Sequence, residues 1–124
     1  MPRFLITAGA TSVAIDTARR ITNLAKGVTG HTLALEAAKR GHQVCLLTSN
    51  PNLATNQQNI KAILFDSFDD LLALLKKETC KNIYDVIVMT AAVSDYSCEG
   101  IFQTPDFNTP ITTSGNEKIS GTHP

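Results

Sequence analysis

The stretch between Phe4 and Gly30 constrains the fold more than any other part of this sequence. It begins with the apolar run FLI and breaks at Gly9 into A-G-A, a pattern typical of a buried parallel strand that ends in a tight turn. It ends with GVTG from Gly27 onward, directly before a segment of helix-forming residues. Such glycine turns form anion pockets in α/β proteins, because free N–H groups and the positive helix end point into them. We therefore expect a phosphate-bearing ligand at this edge.

The spacing of these glycines differs from the dinucleotide-binding fingerprint. In that fingerprint, G-x-G-x-x-G leads from strand to helix within a few residues, whereas seventeen residues separate Gly9 from Gly27 here. The insert contains an acid, two arginines and an amide, namely Asp16, Arg19, Arg20 and Asn23. A long irregular connection is usually functional, because it costs ordering entropy without building a core. A solvated surface loop is the alternative.

Composition limits the chain to one small domain and argues against nucleic acid or membrane as a partner. The chain has 124 residues, 43% of them hydrophobic, and its eleven basic and eleven acidic residues give zero formal charge. Binding to nucleic acid or an anionic membrane needs an excess of Lys and Arg, and no apolar run reaches the roughly eighteen residues of a membrane span. We expect a cytoplasmic protein. Neither a disulfide framework nor a zinc site is expected from the spacing of Cys45, Cys80, Cys98, His31, His42 and His123.

Hydrophobic periodicity predicts four strands and two helices. The predicted strands are residues 4–7, 43–48, 60–65 and 84–90, each an apolar run bounded by turn residues. The first helix should run from Gly27 to Arg40 and stop at Gly41. The second should have Asp66 or Ser67 as its N-cap and Lys76 and Lys77 in its last turn. The predicted buried faces are Leu33, Ala34, Ala37 and Ala38 on the first helix and Phe68, Leu71, Leu72 and Leu75 on the second.

This order of elements predicts a Rossmann-like α/β fold with three layers. Right-handed crossovers give a parallel sheet of strand order 3-2-1-4, which is half of a doubly wound domain. The ligand crevice should lie between the first and fourth strands, where the order reverses, so residues 8–10 and 91–95 should face each other. Residues 1–96 are predicted to form the substrate- and nucleotide-binding domain. Residues 97–124, with three prolines and neither helix nor strand period, are predicted to form a flexible flap or tail.

Four motifs in this order resemble the phosphopantothenoylcysteine synthetases, or phosphopantothenate-cysteine ligases, of coenzyme A biosynthesis. They are ITAGATSVAID after the first strand, ARRITN with the turn KGVTG, AAVSDY after the fourth strand, and EKIS near the end. Their spacing is most similar to the monofunctional bacterial form. The resemblance covers nearly the whole chain but only about the first half of a typical family member. We therefore expect a truncated or split form of such an enzyme that is inactive alone.

The resemblance implies a two-step ligase reaction. CTP, or alternatively ATP, acts with Mg²⁺ to activate the carboxylate of phosphopantothenate as an acyl-cytidylate, and the amine of cysteine then displaces CMP. The implied catalytic residues are Asn23, which holds the acyl intermediate, and Lys118, on a flap over the triphosphate. The implied substrate-binding residues are Gly9, Arg19, Gly27, Gly30 and Ala92, and the implied nucleotide-binding residues are Met89, Thr90, Ala91 and Asp95. The expected partners are phosphopantothenate and cysteine, with either a second copy in a homodimer or a complementing C-terminal half.

Simpler interpretations stand beside these roles. Asn23 also fits a loop residue in a left-handed turn, Asp95 a turn acid and Lys118 a solvated lysine. The chain departs from the family pattern at Lys26, where a hydroxyl residue is common, and at Ser120, where a second lysine is frequent. A non-catalytic module that binds nucleotide or phosphopantothenate is the alternative function. An NAD(P)-binding domain is disfavoured, because no acidic residue follows the second strand. All site predictions depend on the expectation that the Asn23 loop and the Asp95 turn meet over one cleft.

Overall fold

The first of two units in this chain is built on a parallel β-sheet. A computed structural model of the chain describes residues 2–99, 102–103 and 117–118. One unit comprises Met1–Ser12 and Thr22–Ser94, and the other Val13–Ile21 and Asp95–Pro124. In chain order the elements are β1 (Arg3–Ala8), β2 (Ser12–Ala14), β3 (Arg20–Thr22), α1 (Val28–Lys39), β4 (Gln43–Thr48), β5 (Ile60–Leu64), α2 (Phe68–Lys81), β6 (Val86–Met89), β7 (Phe102–Gln103) and β8 (Glu117–Lys118).

The sheet of the first unit has the strand order β5-β4-β1-β6, with every neighbouring pair parallel. The central strand β1 pairs Arg3 with Gln43 on one side and Phe4 with Val86 on the other. This arrangement confirms the predicted α/β class and the strand order 3-2-1-4. It places the carboxyl ends of β1 and β6 side by side, where the crevice was expected.

The two helices cover opposite faces of the sheet. Ala34 and Ala37 of α1 pack against a cluster that includes Ile6, while Leu71 of α2 packs against a cluster that includes Leu5. Neighbouring residues of β1 thus contribute to opposite faces, and both Leu5 and Ile6 are fully buried. This alternation explains why β1 is continuously apolar in sequence. It also confirms the predicted three layers.

Helix α1 differs slightly from its prediction. It begins at Val28, and Gly27 is its N-cap in a left-handed conformation with φ 82°. The predicted stop at Gly41 is present with φ 88°. The predicted buried face was partly wrong, because Leu33 is 43% exposed, whereas the small residue Gly30 is buried.

Helix α2 is longer than predicted and buries a different face. Ser67 is the N-cap, in a capping box with Asp70, and the helix continues to Lys81 instead of ending at Lys76-Lys77. Phe68 and Leu72 were predicted to be buried but are 46% and 38% exposed. The buried residues are Leu71 and Glu78, because the extra turn brings Glu78 against polar partners that compensate its charge.

The insert between the glycine turns is more regular than expected. It contains β2 and β3, which form a two-stranded sheet. Between them, Asp16 Oδ1 accepts hydrogen bonds from the backbone N–H groups of Ala18 and Arg19 at 2.8 and 2.7 Å. The expectation of an irregular connection was therefore wrong, because a local carboxylate-stabilised turn allows the insert to fold back on itself.

The region after Asp95 contains strands that periodicity did not indicate. β7 and β8 pair in antiparallel register, with Phe102 opposite Lys118. Segments of two residues are too short for a hydrophobic period, which is why the pattern missed them. Ser120, His123 and the rest of the predicted tail (100–101, 104–116 and 119–124) lie outside the described residues, and its predicted flexibility stays a prediction.

None of the helices in the described ranges is long and apolar enough to cross a membrane. Cys45 and Cys80 are free thiols. Cys45 is buried in β4, as expected for a small core residue.

Candidate functional site

Both predicted glycine turns line one small cavity at the carboxyl ends of β1 and β6. The cavity has a volume of about 190 Å³ and is lined by Gly9, residues 25–30 and Thr90. Pockets for drug-sized ligands start at roughly 300 Å³. This cavity therefore has room for one phosphate-sized group, with the rest of a nucleotide outside it.

Close backbone contact explains why glycines occupy these turns. A Cβ atom on Gly27 would lie 3.0 Å from the amide nitrogen of Gly9, and both residues have positive φ angles, 82° and 95°. A Cβ atom on Gly30 would lie 2.5 Å from Ala8 Cβ and 2.6 Å from Thr90 Oγ1. Only residues without a side chain allow the strand-end turn and the helix start to touch.

The first turn of α1 gives the cavity a positive potential. The N-cap Gly27 makes no side-chain cap, and the first turn contains no acidic residue. The first helical bond runs from His31 N–H to the Gly27 carbonyl at 3.0 Å. The amides of residues 28–30 therefore precede the helical ladder, and these residues line the cavity, where the helix dipole and the adjacent Lys26 favour an anion.

Two residues directly after β4 hydrogen-bond to the backbone of the two glycine turns. This role was not predicted from the sequence. Ser49 Oγ accepts a hydrogen bond from Ala10 N–H at 2.8 Å, and Asn50 Nδ2 donates to the Lys26 carbonyl at 3.0 Å. In the sequence, these positions show only that the acidic residue of a ribose contact is lacking after the second strand. Their position directly after a strand adjacent to β1 was the available signal, since carboxyl ends of parallel strands meet at one edge.

The segments after β1 and β6 face each other as predicted, but they pair through their main chains. Ala92 N–H donates to the Gly9 carbonyl at 2.8 Å, and the Ala92 carbonyl accepts from Thr11 N–H at 3.0 Å. Thr11 and Ser94 are further joined through their hydroxyl groups at 2.7 Å. The amide of Ala92 is thus already engaged within the protein, so a substrate contact at this residue is left to its side chain and to the second lone pair of its carbonyl oxygen.

Three of the four residues implied for nucleotide binding, Met89, Thr90 and Ala91, lie at the end of β6. Met89 is 55% exposed, and its Sδ accepts a hydrogen bond from Thr7 Oγ1. Thr90 N–H donates to the Thr7 carbonyl at 3.1 Å, and Ala91 N–H donates to Thr7 Oγ1 at 3.3 Å. Thr90 also lines the cavity, so it is the member of this group closest to the candidate phosphate position.

The other predicted site residues are spread over both units. Asn23 is exposed in the first unit and is not among the residues that line the cavity. In the second unit, Asp95 is exposed at a bend, and Lys118 lies in β8. Their roles, and the meeting of Asn23 with Asp95, stay predictions.

Arg19, also in the second unit, is engaged by a neighbouring acid. Its Nε donates to Asp16 Oδ2 at 2.8 Å. The side-chain hydrogen bond from Arg19 and the backbone one from Ala18 hold the pKa of Asp16 at about 2. The guanidinium group is therefore paired within its own turn, and an incoming phosphate would have to compete with a carboxylate for it.

A larger cavity of about 480 Å³ lies at the opposite, amino-terminal edge of the sheet. Its lining includes the buried Glu78, whose Oε1 accepts hydrogen bonds from Tyr84 Oη at 2.8 Å and Asn82 Nδ2 at 3.4 Å, and from Cys45 Sγ. Burial raises the pKa of Cys45 to about 11, so this thiol stays protonated. These contacts join separate elements, and none of the described residues that line this cavity belongs to the first turn of α1 or α2. The smaller glycine-lined cavity is therefore the better site for an anion.

Protein ligands for a metal ion are not gathered anywhere in residues 2–99, 102–103 and 117–118. No group of three or more His, Cys, Asp or Glu side chains there is arranged to hold an ion.

The family model described as the DNA/pantothenate metabolism flavoprotein C-terminal domain (DFP) matches residues 2–104 of the chain. The chain belongs to this family. The match includes both glycine turns and the β6 end, so the cavity lies within the DFP region. It also confirms the family resemblance, and three of the four motifs lie within the matched range.

Curated and solved relatives agree with this DFP assignment. The chain is 38% identical over 97 residues to the coenzyme A biosynthesis bifunctional protein CoaBC of Thermococcus kodakarensis, an alignment that covers 76% of this chain and 23% of the relative. The structure of the DNA/pantothenate metabolism flavoprotein from Streptococcus pneumoniae matches with a TM-score of 0.69 and 31% identity, over 78% of this chain and 42% of that one. The C-terminal domain of a CoaBC protein matches with a TM-score of 0.66, 31% identity and coverages of 77% and 47%. The chain thus spans less than a quarter of that curated relative and less than half of the two solved ones.

Proposed function

We propose that this chain is the part of a phosphopantothenate-cysteine ligase of coenzyme A biosynthesis that binds its phosphate-bearing substrates. The observation that carries this proposal is the cavity formed by the Gly9 and Gly27 turns at the uncapped start of α1. Its size and positive potential suit a phosphate group. Membership of the DFP family supports phosphopantothenate and a nucleotide as the ligands.

The proposed chemistry begins with attack of the phosphopantothenate carboxylate on the α-phosphate of MgCTP, with ATP as the alternative nucleotide. Pyrophosphate leaves, and the amine of cysteine then attacks the acyl carbon and displaces CMP, which forms the amide bond. The first step brings negative groups together, so the α1 amides and Lys26 would lower its barrier by offsetting that charge. In this proposal Asn23 donates to the acyl carbonyl, and Lys118 neutralises the triphosphate.

A second candidate is a binding module that holds these ligands without catalysis. The exposed position of Asn23, outside the cavity lining, favours it, because a catalytic amide must lie within hydrogen-bond reach of the reacting carbonyl. The two candidates share the ligand site and differ only in turnover.

Ligand binding is tested by calorimetry with MgCTP and with phosphopantothenate. We expect Lys26→Gln to weaken binding about five- to tenfold, because it removes a charge-assisted contact at the helix start. The control is Lys39→Gln, which removes the same charge from the last turn of the same helix. The site proposal is wrong if neither ligand binds or if both variants weaken binding equally.

Turnover is tested by measuring pyrophosphate release with phosphopantothenate, cysteine and MgCTP. We expect no release by the chain alone and release when the remaining part of a DFP domain is added. Binding without release in both cases would assign the chain to the second candidate.

A further inference from the structure

The larger cavity, at the amino-terminal edge of the sheet, contains charged groups that the proposed function does not use. Its volume of about 480 Å³ lies in the range of small-molecule sites, roughly 300–1,000 Å³. The starts of β1, β4 and β5 and the end of α2 line it, and all of them belong to the first unit. The charged side chains of this lining are those of Arg3, Lys61, Glu78 and Lys81.

Glu78 gives the cavity a negative charge and has one oxygen without a protein partner. The residue is buried, and Oε1 accepts all three of the hydrogen bonds described above. Oε2 accepts none from the described part of the chain. A buried carboxylate oxygen needs a donor to offset the loss of its hydration. A ligand that donates a charge-assisted hydrogen bond, such as an ammonium group, therefore suits this wall.

Arg3 supplies the opposite charge and is oriented by neutral groups. Its Nη2 donates to Asn82 Oδ1 at 3.2 Å, and its guanidinium carbon lies 5.5 Å from the centre of the Tyr84 ring. Asp85 accepts from the backbone N–H of Arg3, and no carboxylate of the described residues pairs with the guanidinium group. A guanidinium group held in this way has donors left for the two oxygens of a carboxylate.

The two opposite charges are close enough for one α-amino acid to contact both. Asn82 bridges them, because its Nδ2 donates to Glu78 Oε1 at 3.4 Å while its Oδ1 accepts from Arg3 Nη2 at 3.2 Å. The two polar atoms of the amide are about 2 Å apart, so at most roughly 9 Å separates Nη2 from Oε1. An α-amino acid that donates from its ammonium group and accepts at its carboxylate spans about 8–9 Å between its two protein partners.

Two lysines add positive charge that a neutral amino acid would not offset. Neither Lys61 nor Lys81 forms an ion pair with a residue that the structure describes. Burial by itself raises the pKa of Glu78, whereas the charges of both lysines lower it, so both ammonium groups are near this carboxylate. With Arg3, three cations face one carboxylate in the cavity lining. A second carboxylate on the ligand reduces this excess.

We propose that this cavity binds an acidic α-amino acid. Its ammonium group donates to Glu78, its α-carboxylate accepts from Arg3, and its side-chain carboxylate lies near Lys61 and Lys81. The inference does not depend on the proposed function. The glycine-lined cavity is at the other edge of the sheet, so both cavities can be occupied at once.

Calorimetry of the 124-residue chain with L-glutamate tests the site. We expect Arg3→Gln to weaken binding about tenfold or more, because a charged pair of donors is lost. Lys61→Gln, at an exposed position of β5, should weaken binding about threefold. The matched control is Arg40→Gln, which removes an arginine that pairs with Glu36 on α1 and should leave binding unchanged. Absence of binding by the native chain, or equal weakening by Arg3→Gln and the control, would overturn the proposal.

Three other ligands separate the parts of the proposed contact. Glutarate has both carboxylates but no ammonium group, and L-cysteine has no second carboxylate, so each should bind at least about fivefold more weakly than L-glutamate. Glutarate that binds as well as L-glutamate would show that Glu78 receives no ligand donor, which contradicts the assignment. Inorganic phosphate should not displace L-glutamate, and displacement would reduce the site to one for any anion.

Tyrosine fluorescence shows where the ligand binds. The chain has two tyrosines and no tryptophan, so Tyr84 is the only tyrosine left in a Tyr96→Phe variant. We expect L-glutamate to change the emission of this variant with the midpoint found by calorimetry, because the ligand contacts both partners of Tyr84. Binding without a change in emission would place the ligand elsewhere. The affinity for L-glutamate should be the same with saturating MgCTP, and its loss would assign the ligand to the glycine-lined cavity.

Discussion

Thr7 connects the strand end to the turn that follows β6. It is fully buried, and its Oγ1 donates to Met89 Sδ and accepts from Ala91 N–H, while its carbonyl accepts from Thr90 N–H. A single residue of β1 thus positions residues 89–91 through both its side chain and its main chain. Because the hydroxyl both donates and accepts, valine of the same shape would leave the Ala91 amide without its partner.

Gly30 has no room for a side chain where α1 meets the ends of β1 and β6. We predict that Gly30→Ala destabilises the protein by about 1–3 kcal/mol, because the new methyl group would overlap Ala8 Cβ and Thr90 Oγ1 in a packed region. The midpoint of urea unfolding measures this cost. Thr29→Ala, at an exposed position in the same turn, is the control and should change stability by less than about 0.5 kcal/mol. Equal midpoints for the Gly30 variant and the native chain would show that the turn has room for a side chain.

At the level of elements, the two helices begin in contrasting ways. α2 starts with a complete capping box, in which Ser67 Oγ accepts from Asp70 N–H at 3.1 Å and Asp70 Oδ2 accepts from Ser67 N–H at 3.1 Å. α1 starts with Gly27 and has no side-chain cap. A helix whose first amides are left without a side-chain partner is suited to bind a ligand there, whereas a capped helix start serves stability.

The capping box of α2 gives a prediction about stability alone. Ser67→Ala should lower the free energy of unfolding by about 1 kcal/mol, because the Asp70 amide loses its acceptor. Ser67→Thr keeps a hydroxyl acceptor and should recover most of this loss in the same urea titration. Binding of MgCTP should be unaffected by either change, and a shared loss of binding would place α2 in the ligand site.

Across the first unit, the Glu78 cluster joins elements that are distant in sequence. The buried carboxylate of α2 accepts hydrogen bonds from Cys45 of β4 and from Tyr84, which precedes β6. The Arg3 guanidinium lies 5.5 Å from the centre of the Tyr84 ring and adds a contact from β1. Burial by itself would raise the pKa of Glu78. The hydrogen bond from Tyr84 and the charge of Lys61 together lower this pKa by more than burial raises it, so the pKa lies below the usual 4.5.

This lowered pKa predicts a pH-dependent contribution to stability. Since the pKa of Glu78 is lower in the folded than in the unfolded state, the ionised group stabilises the fold above about pH 4.5, and this contribution is lost as the pH falls through the folded-state value. Tyr84→Phe should therefore cost about 1–2 kcal/mol at pH 7 and less at pH 3. Tyr96→Phe, at a site that is 87% exposed, is the matched control. A larger cost at pH 3 than at pH 7 would contradict the assignment.

Local patterns in the sequence were sufficient to predict the strands, the helices and the strand order of the first unit. The apolar runs predicted the strands, and the Gly41 stop and the Ser67 cap predicted helix ends. Each of these signals depends only on residues that are close together in the sequence. The connection rules for βαβ units then predicted the strand order. The glycine turns predicted an anion pocket, and the structure places both turns around one cavity.

Only the tertiary structure decided which side chains are buried, which are exposed and which hydrogen-bond to distant elements. Ser49 and Asn50 hold the glycine turns, Glu78 is buried, and Phe68 and Leu72 are exposed, because each of these outcomes depends on atoms contributed by elements far away in sequence. Periodicity describes one element at a time, so it cannot show that the last turn of α2 meets Tyr84 and Cys45. The exposure of Ile87 and Met89 has the same origin, since an apolar strand has the same sequence whether it lies in the centre of a sheet or at its edge.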